Sequence, residues 1–129
     1  MAAERVVSVQ WLAVGGGAAL GAWARWGLGI ALNASILPLG TLIANLGGGL
    51  LMGMALAYFA STSAHDSTRL LIMTGFLGGL TTFSAFSAEA FNFLQKQQYA
   101  WAAAHISSHV VGSLLMTALG FMLVQYLRN

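Results

Sequence analysis

Four apolar stretches, each long enough to cross a bilayer, constrain this chain more than any other feature. A membrane helix needs about 20 mostly apolar residues to span the hydrocarbon core. Residues 6–32, 39–60, 70–93 and 99–127 each meet that length. The links, at 33–38, 61–67 and 95–98, leave no room for a soluble domain. Only 6% of the 129 residues are charged and 58% are hydrophobic, whereas an ordinary soluble domain carries about 25% charged residues. Such a chain cannot cover itself with polar surface in water. The expected fold is an all-α membrane protein, a single transmembrane domain of four helices.

Several function classes fall away on composition. There are no cysteines, so disulfides and thiolate metal sites are excluded. The five basic residues, Arg5, Arg25, Arg69, Lys96 and Arg128, are scattered singly, whereas nucleic-acid binding needs a clustered basic face. Val6 to Leu20 followed by Ala22-Trp23-Ala24 imitates a cleaved leader. Glu4 beside Arg5 removes the positive start a leader needs, and no soluble domain follows. The expectation is a first membrane span.

The charges also bear on orientation. Four spans put both termini and the 61–67 link on one side of the membrane. That side holds Arg5, Arg69 and Arg128; the other holds Arg25 and Lys96. The positive-inside rule needs an asymmetry, and this is nearly none. Either copies insert both ways and pair antiparallel, or other factors fix one orientation. The balance favours dual topology.

Glycine is abundant, with 16 residues. Gly17 with Gly21, Gly49 with Gly53 and Gly75 with Gly79 stand at G-xxx-G spacing, which lets helix backbones approach closely in lipid. The third span holds more than packing glycines. It reads Thr74-Gly75-Phe76-Leu77-Gly78-Gly79-Leu80-Thr81-Thr82-Phe83-Ser84-Ala85-Phe86-Ser87-Ala88-Glu89. Each interior glycine costs a helix about 1 kcal/mol. Two readings fit: a packed glycine pair in an unbroken helix, or a break near the span's centre. Non-helical backbone at membrane depth is tolerated only where it is buried in protein or lines a cavity, and such breaks present carbonyls and amides to ions.

Phe83 and Phe86 share a helix face, with Ser84 and Ser87 between and after them. Packing alone explains many such pairs. Aromatic rings also carry a positive edge, which suits a small anion without trapping it. Asn45 is polar at depth in the second span, either for helix–helix bonding or for a pathway. In the fourth span His105, His109, Ser113 and Thr117 form a polar stripe at helical spacing. Two histidines without a neighbouring carboxylate or thiolate argue against a metal site there. Arg25 and Glu89 stand near span ends, where they either snorkel to the interface or shape a pore mouth.

The string from Gly75 to Glu89 resembles the signature of the Fluc (CrcB) fluoride channels. Pro38-Leu39-Gly40-Thr41-Leu42 with Asn45-Leu46, Gly21 to Arg25-Trp26, and Gly112-Ser113 through Thr117 are similar to that family's other span motifs. The resemblance covers essentially the whole chain. It implies an antiparallel, dual-topology homodimer in the bacterial inner (plasma) membrane, with a broken third helix and two fluoride pores along the subunit interface. It implies one structural sodium ion at the dimer centre, held by the backbone carbonyls of Gly78 and Thr81. It further implies that Phe83 and Phe86 face fluoride, that Asn45 contacts them, and that Ser84, Ser113 and Thr117 supply hydroxyls with Glu89 nearby. Arg25 would draw anions into a vestibule. Ala85, His105 and His109 depart from the family pattern, where a hydroxyl, a tyrosine and a small hydroxyl residue are expected.

The expected activity is passive efflux of cytoplasmic fluoride. The main rival is a small dual-topology four-helix multidrug antiporter. Such an exporter of cations needs a carboxylate at membrane depth in its first span. Here the only acid, Glu4, precedes that span. A non-transporting membrane subunit explains the glycines but not the hydroxyls alternating with Phe83 and Phe86. No nucleotide-binding loop or nucleophile motif is present, so the chain is not expected to be an enzyme.

Overall fold

The computed structural model describes residues 2–34 and 36–129. These form α1 (Ala2–Leu32), α2 (Leu39–Ala60) and a short α3 (Asp66–Arg69) that widens into π-helical turns (Leu70–Leu77). A single turn, α4 (Gly78–Leu80), precedes α5 (Phe83–Gln95) and α6 (Tyr99–Arg128). Four stretches are long and apolar enough to cross a membrane: Glu4–Leu32, Leu39–Ala60, Asp66–Gln95 and Tyr99–Arg128. At 1.5 Å per residue, α1 and α6 are each about 45 Å long. They exceed a hydrocarbon core of about 30 Å, so they tilt or project beyond it.

The helix ends follow from local chemistry. Pro38 precedes α2 with φ −75°, a torsion its ring enforces. The turn from α5 to α6 is a Schellman motif. Gln97 takes φ 56°, its amide donates to the Leu94 carbonyl at 3.0 Å, and the Gln98 amide reaches Phe93 at 2.9 Å. Glycine usually fills the left-handed position; here glutamine does. The tight reversal lays α6 directly against α5.

Packing divides the helices into two close pairs, α2 with α6 and α1 with the π-helical turns and α4. Glycine makes both possible. A methyl carbon at Gly17 or Gly21 would overlap the carbonyl oxygen of Leu71 or Phe76, and one at Gly53 would overlap that of Thr117. Between the pairs, Ala44, Ala55, Phe59, Leu77 and Leu80 make a small buried core. Large apolar side chains such as Trp11, Leu12, Trp23 and Leu114 face outward, as expected where lipid is the solvent.

Candidate functional site

The third span contains two extended residues. Thr81 has ψ 153° and Thr82 has φ −148° and ψ 122°. In a continuous helix the amides of Thr82 and Ala85 would bond the carbonyls of Gly78 and Thr81. Here the Thr82 amide donates to Asn45 Oδ1 at 2.7 Å, and the Ala85 amide donates to Thr82 Oγ1 at 3.1 Å. Thr82 is therefore the N-cap of α5. The Thr81 hydroxyl turns back to the Leu77 carbonyl at 2.9 Å.

Asn45 clamps this junction from α2. Its amide group accepts from the Thr82 amide and donates to the Thr82 carbonyl at 3.0 Å. Its second N–H points at His109 Nδ1, 2.9 Å away. That fixed amide orientation makes Nδ1 the acceptor and leaves the proton of a neutral ring on Nε2.

A groove of about 440 Å³ runs beside the clamp, lined by Asn45, Thr81, Thr82, Phe83, Phe86, His109, Ser113 and Thr117 together with apolar residues of α2 and α6. Phe83 and Phe86 meet edge to face with centroids 5.4 Å apart. Phe86 is buried, whereas Phe83 is 78% exposed, so the groove is open along one flank. The Thr117 hydroxyl donates to the Ser113 carbonyl at 2.8 Å. Ser84 lies outside this lining; its hydroxyl sits 3.2 Å from that of Thr82.

Arg25 and Glu89 belong to a second cleft, of about 380 Å³, that also contains Asn33, Thr41, Thr82 and Ala85. Arg25 Nε donates to the Gly79 carbonyl at 3.1 Å, so its charge sits against a carbonyl of α4. The Thr41 hydroxyl donates to Glu89 Oε1 at 2.6 Å. Glu89 Oε2 stands 3.4 Å from His105 Nε2. The expectation that the histidine pair lacks a carboxylate is thereby corrected. Spacing along α6 shows the two rings, but the carboxylate arrives from α5 through the tight α5–α6 reversal.

Residues 12–121 match the family described as CrcB-like protein, Camphor Resistance (CrcB). The chain belongs to the CrcB family. It is 56% identical over 118 residues to the "Fluoride-specific ion channel FluC" of Nitrosospira multiformis, covering 89% of this chain and 92% of that one. It is likewise 56% identical over 113 residues to the protein of that name in Aromatoleum aromaticum, covering 85% and 86%. The Pseudomonas aeruginosa relative with the same name is 54% identical over 119 residues, covering 90% and 94%. These CrcB relatives are named as channels, not as enzymes.

Within this CrcB chain, two residues without a sequence-assigned role prove central to the site. Thr41 holds Glu89, and Thr82 both caps α5 and pairs with Asn45. Thr82 had a signal, since an N-cap hydroxyl three residues before the amide it accepts is a familiar pattern. Thr41 had none beyond its place in the Pro38-Leu39-Gly40-Thr41-Leu42 string.

Proposed function

We propose that the chain is a fluoride-selective channel that lets cytoplasmic fluoride leave passively, working as an antiparallel homodimer in the bacterial inner membrane. The observation that carries this reading is the groove. It is lined by the Phe83 and Phe86 rings at the amino end of α5, in a family whose relatives are named fluoride-specific channels. Ring edges are electropositive, and the first-turn amides of α5 add positive potential. Both attract a small anion without the fixed cation that would hold it too tightly to conduct. Ser113 and Thr117 continue the groove, and the Thr117 hydroxyl would turn from the Ser113 carbonyl to donate to the anion. Arg25, with Glu89 beside it, shapes the approach.

The open flank of the groove supports closure by a second copy. A ring as exposed as Phe83, in a groove next to buried polar groups, gains from such a partner. The carbonyls of Gly78 and Thr81, whose helical donors are engaged elsewhere, suit a hard monovalent cation with oxygen ligands. A sodium ion shared by two chains would join the two copies at these carbonyls, a structural role apart from the anion path. Neutral hydrogen fluoride crosses bilayers from acid surroundings and ionises in the near-neutral cytoplasm. A conductive path down the resulting gradient needs no nucleotide.

Purified protein in liposomes tests the reading, with fluoride and chloride efflux followed by ion-selective electrodes. Fluoride efflux is expected to far outpace chloride efflux. Equal rates, or no efflux of either ion, would overturn the proposal.

A further inference from the structure

Glu89, His105 and His109 form a cluster that the conduction reading leaves unexplained. Glu89 comes from α5 and both histidines from α6. One donor atom from each lies within 4.8 Å of the other two. His105 and His109 are only 2% and 4% exposed. Glu89 Oε2, His105 Nε2 and His109 Nε2 are all buried without a hydrogen-bond partner. An unsatisfied buried polar atom is destabilising. Glu89 Oε2 and His105 Nε2 face each other at 3.4 Å without a hydrogen bond, and one ligand shared by the three residues would satisfy them together.

We propose that Glu89, His105 and His109 bind a divalent transition-metal ion of the zinc class. Two imidazoles and one carboxylate are a known donor set for zinc with a fourth position left open. Imidazole nitrogen selects such ions over the hard cations that all-oxygen sites take. The geometry is close. Ligands set 2.0–2.2 Å from zinc in a tetrahedron are about 3.4 Å apart, and His105 Nε2 already stands 3.4 Å from Glu89 Oε2. Thr41 bonds the other carboxylate oxygen at 2.6 Å and leaves Oε2 for the metal, as outer-shell partners do. The Phe86 and Phe93 rings lie 5.5 and 5.6 Å from that of His105 and wall the cluster from water. Glu89 also lines two surface clefts, which give an ion a way in.

Occupancy acts on the groove through Asn45. A metal on His109 Nε2 moves the ring proton to Nδ1, where it meets an N–H of Asn45. Asn45 must then turn and release Thr82. Zinc is therefore an inhibitor of conduction. This consequence rests on the channel reading, whereas metal binding does not.

The test uses protein freed of any affinity tag, in detergent, titrated with Co²⁺ as a spectroscopic probe. One Co²⁺ per chain is expected, with the visible ligand-field bands of a four-coordinate site, displaced by equimolar Zn²⁺. His105→Tyr with His109→Ser abolishes the bands, and Thr41→Val weakens binding by about 10–100-fold. His65→Ala, altered at an exposed position before α3, leaves the bands unchanged. No bands in the unmutated protein, bands surviving in the double variant, or bands lost in His65→Ala would each overturn the site. Gel filtration separates loss of metal from loss of fold. In liposomes Zn²⁺ is expected to slow fluoride efflux. Binding without slowing would refute the Asn45 coupling alone. Absence of any fluoride efflux would count against the channel reading and not against the metal.

Discussion

Asn45 engages three neighbours at once: the amide and the carbonyl of Thr82, and His109 Nδ1. As a polar side chain inside an apolar span it was visible in the sequence. Its partners were not, because they lie 37 and 64 residues away and no local spacing rule reaches that far. The same holds for Thr41 and Glu89, 48 residues apart. Phe83 and Phe86 were legible as a shared face, but not the difference between them. Phe86 is buried against the histidine rings, while Phe83 is 78% exposed. Their substitutions therefore differ. A ring contact contributes about 0.5–1.5 kcal/mol, and about 1.4 kcal/mol in a barrier is ten-fold in rate. Phe83→Ile and Phe86→Ile are each expected to slow fluoride efflux from liposomes by up to about ten-fold. Phe86→Ile alone should also cost about 1–3 kcal/mol of stability, read as a lower melting temperature in detergent. Unchanged efflux in both variants would take the rings out of the path.

Whole elements were easier to read, because apolar length and glycine spacing are local properties. A break near the centre of the third span was one of two open readings of the Gly78-Gly79 and Thr81-Thr82 stretch. The extended torsions lie at Thr81 and Thr82, just after the glycines. Both glycines keep helical backbone, and Gly79 serves close approach. A methyl carbon at Gly79 would overlap the Ala18 carbonyl oxygen. The Thr82 hydroxyl replaces one lost backbone bond by accepting from the Ala85 amide, while the Thr81 hydroxyl adds a second bond to the Leu77 carbonyl that the Thr81 amide already reaches. Glycine spacing likewise showed that helices would pack closely, but not which ones. Gly53 gives a contrast within one helix. A methyl carbon there overlaps the Thr117 carbonyl oxygen, whereas at Gly47 nothing lies within 4 Å. Gly53→Ala forces α2 and α6 apart and is expected to cost about 1–3 kcal/mol, the usual range for overpacking. Gly47→Ala, which gains only helix propensity, should be neutral or stabilising by up to about 1 kcal/mol. Melting curves of the two purified variants check this. Equal stability would mean that α2 and α6 are not held at backbone contact.

At the scale of the molecule the decisive quantity is charge balance, which is printed in the sequence but expressed only on insertion. Arg5, Arg69 and Arg128 oppose Arg25 and Lys96 across the membrane. Arg25 is drawn inward to the Gly79 carbonyl, and Arg128 lies over the Tyr58 ring and bonds Thr62. Neither is a free topological anchor, and setting both aside leaves Arg5 and Arg69 against Lys96, so the bias is still a single charge. If the working unit is an antiparallel pair, a forced single orientation should be inactive. Ser63→Lys with Asn129→Lys adds positive charge at the end holding both termini and favours that end in the cytoplasm. Ala34→Lys with Gln98→Lys biases the opposite way. Each biased variant expressed alone is expected to lose most fluoride efflux from cells, while a reporter fused to the C-terminus resolves to one side. Expressing the two together should restore efflux, because each supplies the orientation that the other lacks. Full efflux from either variant alone, with its reporter on one side only, would show that a parallel pair or a single chain conducts. The antiparallel homodimer would then have to be abandoned, while the groove and its clamp, which belong to one chain, would stand.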